Sequence, residues 1–147
     1  MALPSDPLHI ALAEARLSVA EGGMPFGAAL VVDGQLVARA HNRQLQDGAY
    51  FSHAEMNCLQ HLSNPLHADQ HTVLYATGAP CPKVAGAAVI SGIRHVVVGE
   101  DVHYSGACDW LRSHGITVEI RQDADCIALV STFRHHHPDR WSAFSAG

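Results

Sequence analysis

His53 and Glu55 stand two residues apart in SHAEMNC (52–58), and Cys81 follows a proline in GAPCPKVAGAAVISG (78–92). An imidazole and a thiolate are ligands for zinc, and a carboxylate two residues past the histidine can reach a metal-bound water, take its proton and hand it on. A further cysteine three residues after Cys81 would complete such a site. That position holds Val84, which has no donor atom.

Each piece also has a structural reading. Ser52-His53-Ala54-Glu55 is a capping box, in which the Glu55 side chain bonds back to the Ser52 amide. Pro80-Cys81 is a helix start carrying a buried thiol, the usual situation of a free cysteine. Their joint occurrence, with a strand between two helices, favours a site: both helix N-termini then face each other across one end of a sheet, and their positive dipole ends stabilise the Cys81 thiolate. A metal-free alternative uses the same residues. Cys81 at a helix N-terminus, Lys83 two residues on and Glu55 opposite gather the types that amidases use for acyl transfer; as a structural residue Lys83 is a solvated lysine on the first helical turn.

The elements that must position these residues follow from punctuation and periodicity. Asp6-Pro7 reads as an N-cap and first helical residue, with Leu8, Ala11, Leu12 and Leu17 at helical spacing before Gly22-Gly23. Two apolar runs, Ala28–Val32 and Leu36–Ala40, flank Asp33-Gly34 and predict a hairpin. Ser52 opens a helix through Leu62, residues 71–77 form a third strand, and a helix runs from Pro80-Cys81 to Gly92. Residues 94–100 read as a strand buried on both faces. A short helix in 108–115, a fifth strand at 116–120, a helix at 123–135 and a terminal piece after Pro138 complete an α-β-β-α-β-α-β-α-β-α order, a mixed sheet between helices.

The 147 residues suit one domain, 1–147. The N-terminal MALPSDPLHIALAEAR has acids and no basic region before its apolar stretch, which argues against a secretory signal. No apolar run approaches a membrane span, and the expected location is the cytoplasm. Net charge is −5 and no Lys/Arg cluster tracks a phosphate backbone, so nucleic acid is not an expected partner. Cys58, Cys81, Cys108 and Cys126 are widely spaced and read as free thiols or ligands rather than disulfides.

EGGMPFGAALV (21–31), AHN (40–42), HAE (53–55), PCP (80–82), SGIRHVVVGED (91–101) and Pro138-Asp139-Arg140-Trp141 occur in the order that resembles the cytidine-deaminase-like superfamily, in its branch of small single-domain cytosine and guanine deaminases. The resemblance implies a three-layer α-β-α sandwich around a mixed five-stranded sheet, and a homodimer. It further implies zinc held by His53 and Cys81, Glu55 as proton shuttle, and hydrolytic removal of an exocyclic amine from a small-molecule heterocyclic substrate. By the same mapping Asn42 grips the ring, Ala54 gives it a backbone contact, and Tyr104 and Trp141 roof the pocket; otherwise these are a turn asparagine and core aromatics.

Three departures stand out. Val84 replaces the third ligand, Ala79 precedes Pro80 where relatives carry a polar or acidic side chain, and Ser142-Ala143-Phe144-Ser145 replaces an acidic residue that holds the amino group in cytosine-specific relatives. Cys58, His103 and Cys108 are candidates for supplying the missing donor. A ligand-binding relative without catalysis is the third functional reading.

Overall fold

Helix α1 (Pro7–Ala20) starts where Asp6 accepts a hydrogen bond from the Leu8 amide at 3.1 Å and Pro7, with no N–H to lose, takes the first helical position. These coordinates belong to a computed structural model that describes residues 6–144; residues 1–5 of the N-terminal stretch and Ser145 of the segment after Trp141 lie outside the described residues. Strands β1 (Gly27–Val32) and β2 (Gln35–His41) form the expected hairpin. Its turn places Asp33 at φ 49° and Gly34 at φ 77°, the two positive φ values that a two-residue turn needs to match strand twist.

Helices α2 (Gln44–Asp47) and α3 (Ala54–Leu59) come next, then β3 (Thr72–Gly78), α4 (Pro82–Ser91), β4 (His95–Glu100), α5 (Cys108–Ser113), β5 (Thr117–Ile120), α6 (Ala124–His136) and α7 (Pro138–Phe144). The strands lie in the order β2-β1-β3-β4-β5, with β1 antiparallel to both neighbours and β3, β4 and β5 parallel. This is the mixed five-stranded sheet that the sequence implied.

Alternation along β1 builds the two faces. Ala28, Leu30 and Val32 pack with Ala54, Cys58, Ala85, Ala88 and Leu111 from α3, α4 and α5, while Ala29 packs with Leu8, Ala11, Leu12 and Cys126 from α1 and α6. The result is a three-layer α-β-α sandwich. Gly27 sits where α1 crosses the sheet so closely that a Cβ would collide with the Ala11 carbonyl oxygen. No helix among the described residues is long and apolar enough to cross a membrane.

Four local expectations change. The helix expected from Ser52 to Leu62 is only Ala54–Leu59, because His61 N and Leu62 N bond three residues back, to Cys58 and Leu59, in a tightening turn before Ser63-Asn64-Pro65. His53, rather than Ser52, is its N-cap; the Ser52 hydroxyl pairs with Asn57, so no capping box forms. Helix α2 was not expected and is closed by Gly48 at φ 61°. Leu17 is 48% exposed, since five residues after Leu12 it has rotated off the buried stripe.

Candidate active site

The antiparallel pairing of β1 brings its start beside the ends of β2 and β3: Gly27 pairs with His41 and Ala28 with Ala76, while Gly78 pairs with Glu100 at the end of β4. One end of the sheet therefore collects residues 24–27, 41–44, 78–81 and 100–104. The N-termini of α3 and α4 open onto the same end. A cleft of about 150 Å³ lies there, lined among others by Phe26, Asn42, His53, Glu55, Cys81 and Trp141. That volume suits a single aromatic ring.

His53 and Cys81 are each the N-cap of their helix, extended in backbone, and neither side chain bonds its own helix. Both side chains are thus free to turn into the cleft, where Cys81 Sγ and His53 Nε2 lie 3.9 Å apart. Cys81 is 7% exposed. Burial, and then the nearby Lys83 ammonium, hold the His53 imidazole below its usual range. Asn57 pins the start of α3, its amide donating to the His41 carbonyl and to Ser52 Oγ, both at 3.1 Å.

Glu55, in the first turn of α3, is also 7% exposed. Burial pushes its carboxyl up to about 7, offset only by its own backbone amide. A carboxyl poised there can both accept and give a proton at neutral pH.

Asn42 is buried and held by Gln44, accepting from its amide at 2.9 Å and donating to its Oε1 at 2.8 Å. One amide hydrogen and one lone pair of Asn42 remain for a ring edge. Tyr104 stands at the cleft mouth, 38% exposed. Trp141 closes the cleft, its ring 6.1 Å from that of Phe26 and 6.3 Å from His103. Ala54 is fully buried and starts α3, while Ala79 lines the cleft. Lys83 turns away: Nζ donates to the Tyr50 hydroxyl at 3.2 Å, 4.3 Å from the ring centroid.

Glu100, Phe26 and Gln44 also line the cleft without having been read from the sequence. Glu100, 2% exposed, accepts from the amides of Val102 at 2.7 Å and His103 at 3.2 Å and pairs with His103 Nδ1 at 2.9 Å. His103 Nε2 meets Ser131 Oγ at 3.0 Å. This chain of bonds sets the loop after β4 against α6 and holds His103 against Trp141. The same loop docks on the Cys81 turn, with Ala107 N donating to the Pro80 carbonyl at 2.9 Å and Gly106 at φ 62°. The sequence signals for Glu100 were a carboxylate ending an otherwise apolar strand and its place in SGIRHVVVGED, neither of which gave it a role.

The donor set does not fit a three-ligand zinc centre. Among the described residues no three His, Cys, Asp or Glu side chains come together where they could hold one metal ion. Val84, three residues along α4 from Cys81, is fully buried and presents only methyl groups. The candidate substitutes are committed elsewhere: Cys58 and Cys108 lie in the core, the Cys58 thiol pushed up to about 12 by burial, and both His103 nitrogens are paired.

The chain is similar to Candida albicans cytosine deaminase, 31% identical over 137 residues that cover 92% of this chain and 91% of that protein. It is 37% identical to the Bacillus subtilis tRNA-specific adenosine deaminase over 101 residues, 66% of this chain and 63% of that protein. Its fold matches that of the guanine deaminase from Nitrosomonas europaea with a TM-score of 0.77 and 26% identity, covering 92% of this chain and 86% of the other. The model of the cytidine and deoxycytidylate deaminase zinc-binding region matches residues 3–100, which carry His53, Glu55 and Cys81, and on that match the chain belongs to this deaminase family.

Proposed function

We propose that this chain is a hydrolytic deaminase of a small, flat nitrogen heterocycle, a free nucleobase or an analogue. The observation that carries the reading is Glu55: a buried carboxyl poised near 7, facing a ring-sized cleft, with its own backbone amide but no ion-pair partner among the described residues. A structural carboxylate at that depth would be paired.

Each residue then has a task. Phe26, Tyr104 and Trp141 enclose the ring faces, and the remaining hydrogen and lone pair of Asn42, with the Ala54 backbone, fix the ring edge. Glu55 exchanges a proton with the ring nitrogen while the exocyclic amine is replaced by the oxygen of water. Because the donors present do not make a three-ligand centre, no step is assigned to zinc.

Relatives named for cytosine and guanine deamination favour a free base. The net charge of −5 and the ring-sized cleft support a small molecule over tRNA, although several relatives, from Bacillus subtilis and Streptococcus pyogenes, are named tRNA-specific adenosine deaminases. The same reading has the chain working as a homodimer in the cytoplasm. Ammonia release from a panel of amino-substituted pyrimidines, purines and triazines tests it. One member is expected to be turned over by the wild type and not by Glu55→Gln; no release from any member refutes the proposal.

A further inference from the structure

We propose that Cys81 is the nucleophile of this site, with His53 as its proton acceptor, so that deamination passes through a covalent sulfur adduct. This rests on the deaminase reading above and replaces the Lys83 partnership considered from sequence. Three observations support it. Cys81 Sγ lies 3.9 Å from His53 Nε2, within reach of a sulfur hydrogen bond, and both face the cleft. The thiol sits at the N-cap of the ten-residue α4 with no helix amide engaged, where the dipole favours negative charge. Glu55, 7% exposed, opens into the same cleft as a second proton carrier. Lys83 is bonded to Tyr50 outside it.

The balanced course is as follows. His53 takes the thiol proton, and the sulfur pair forms a bond to the ring carbon that bears the amine. The C=N pair moves to the ring nitrogen, which takes the Glu55 proton. The imidazolium then protonates the amine, the C–N bond breaks, and ammonia leaves with its electron pair. The ring nitrogen returns its proton to Glu55 as C=N re-forms, leaving a thioimidate. Water adds to that carbon and loses its protons to His53 and the ring nitrogen. The C–S bond then breaks, the sulfur recovers its proton from His53, and the carbonyl product departs. One water is consumed and one ammonia released, with no net oxidation.

The test uses 6-chloropurine and 2,4-dichloropyrimidine on the full chain, with chelator present, read by intact mass and peptide mapping. The thiolate displaces chloride, so a gain of the ring less HCl on Cys81 is expected. The adduct should be absent in Cys81→Ser, formed at least tenfold more slowly in His53→Asn, and missing from Cys58, Cys108 and Cys126. A wild-type Cys81 that stays unlabelled, or a folded His53→Asn labelled at the wild-type rate, overturns the proposal. Should His53→Asn fail to fold, His53→Gln takes its place, with melting temperature as the check. Ammonia release separates the two readings. Turnover that persists in Cys81→Ser, or that chelator abolishes and zinc restores, refutes the nucleophile and leaves the deaminase standing. Labelling of Cys81 without ammonia from any base supports the nucleophile and refutes the deaminase.

Discussion

Replacing Glu55 with glutamine should remove turnover and, above neutral pH, make the protein more stable. In the folded chain burial raises the carboxyl from 4.5 to about 7, so the native state holds the proton more tightly than the unfolded chain does. The sign follows: below pH 4.5 the carboxyl is neutral in both states and makes no difference, whereas between 4.5 and 7 the unfolded state ionises and the folded state does not. Stability therefore falls as pH rises through that window, and the full cost is present above 7. At about 1.4 kcal/mol per pH unit the shift corresponds to roughly 3 kcal/mol.

Glutamine is nearly isosteric and does not ionise. Any cost of its unpaired amide is independent of pH, so the difference between the two pH profiles isolates the carboxylate. Urea titrations of both proteins at pH 4.5, 6, 7 and 8 should show the variant gaining on the wild type by roughly 3 kcal/mol across the series, or about 6–12 °C in melting temperature for a chain of this size. Turnover should drop by about 10²–10⁴, the usual contribution of a positioned proton carrier. Parallel stability profiles would show that Glu55 is paired or solvated in the folded state, and would refute a carboxyl raised by burial.

Val84→Cys places a third donor one turn from Cys81 and should raise bound zinc from under about a tenth of an equivalent to near one, measured by equilibrium dialysis and metal analysis. Trp141→Ala opens the cleft between Phe26 and His103 and should weaken ring binding about tenfold, seen as a rise in KM or in the dissociation constant by calorimetry. Gly106→Ala puts a Cβ 2.5 Å from the Pro80 carbonyl oxygen at φ 62°, so it should cost about 1–3 kcal/mol by urea denaturation and lower kcat through the Cys81 turn.

Local signals account for most of the architecture. Asp33-Gly34 required a turn with positive φ and so fixed the hairpin, and the alternation in β1 assigned its residues to two faces. His53, Glu55 and Cys81 were legible because their types and spacing carry chemistry, and the fold brings all three to one cleft. What sequence could not show depends on long-range packing. Phe26 and Gln44 reach the cleft because β1 begins at this end of the sheet and β2 returns to it antiparallel. Glu100 looked like a strand end until the loop folded back onto its carboxylate. Lys83 was read beside Cys81 by spacing alone, but its ammonium lies over the ring of Tyr50. Helix α3 stops early because its last carbonyls accept three-residue bonds ahead of Pro65.

We propose that this family member deaminates with Cys81, His53 and Glu55 in a site whose donors do not make a zinc centre. The direct measurement is zinc content and ammonia release on the same sample of wild-type protein, purified without chelator and then treated with one. Under about a tenth of an equivalent of zinc is expected, with turnover that chelator leaves unchanged. Stoichiometric zinc whose removal stops ammonia release, and whose return restores it, would refute the metal-free mechanism.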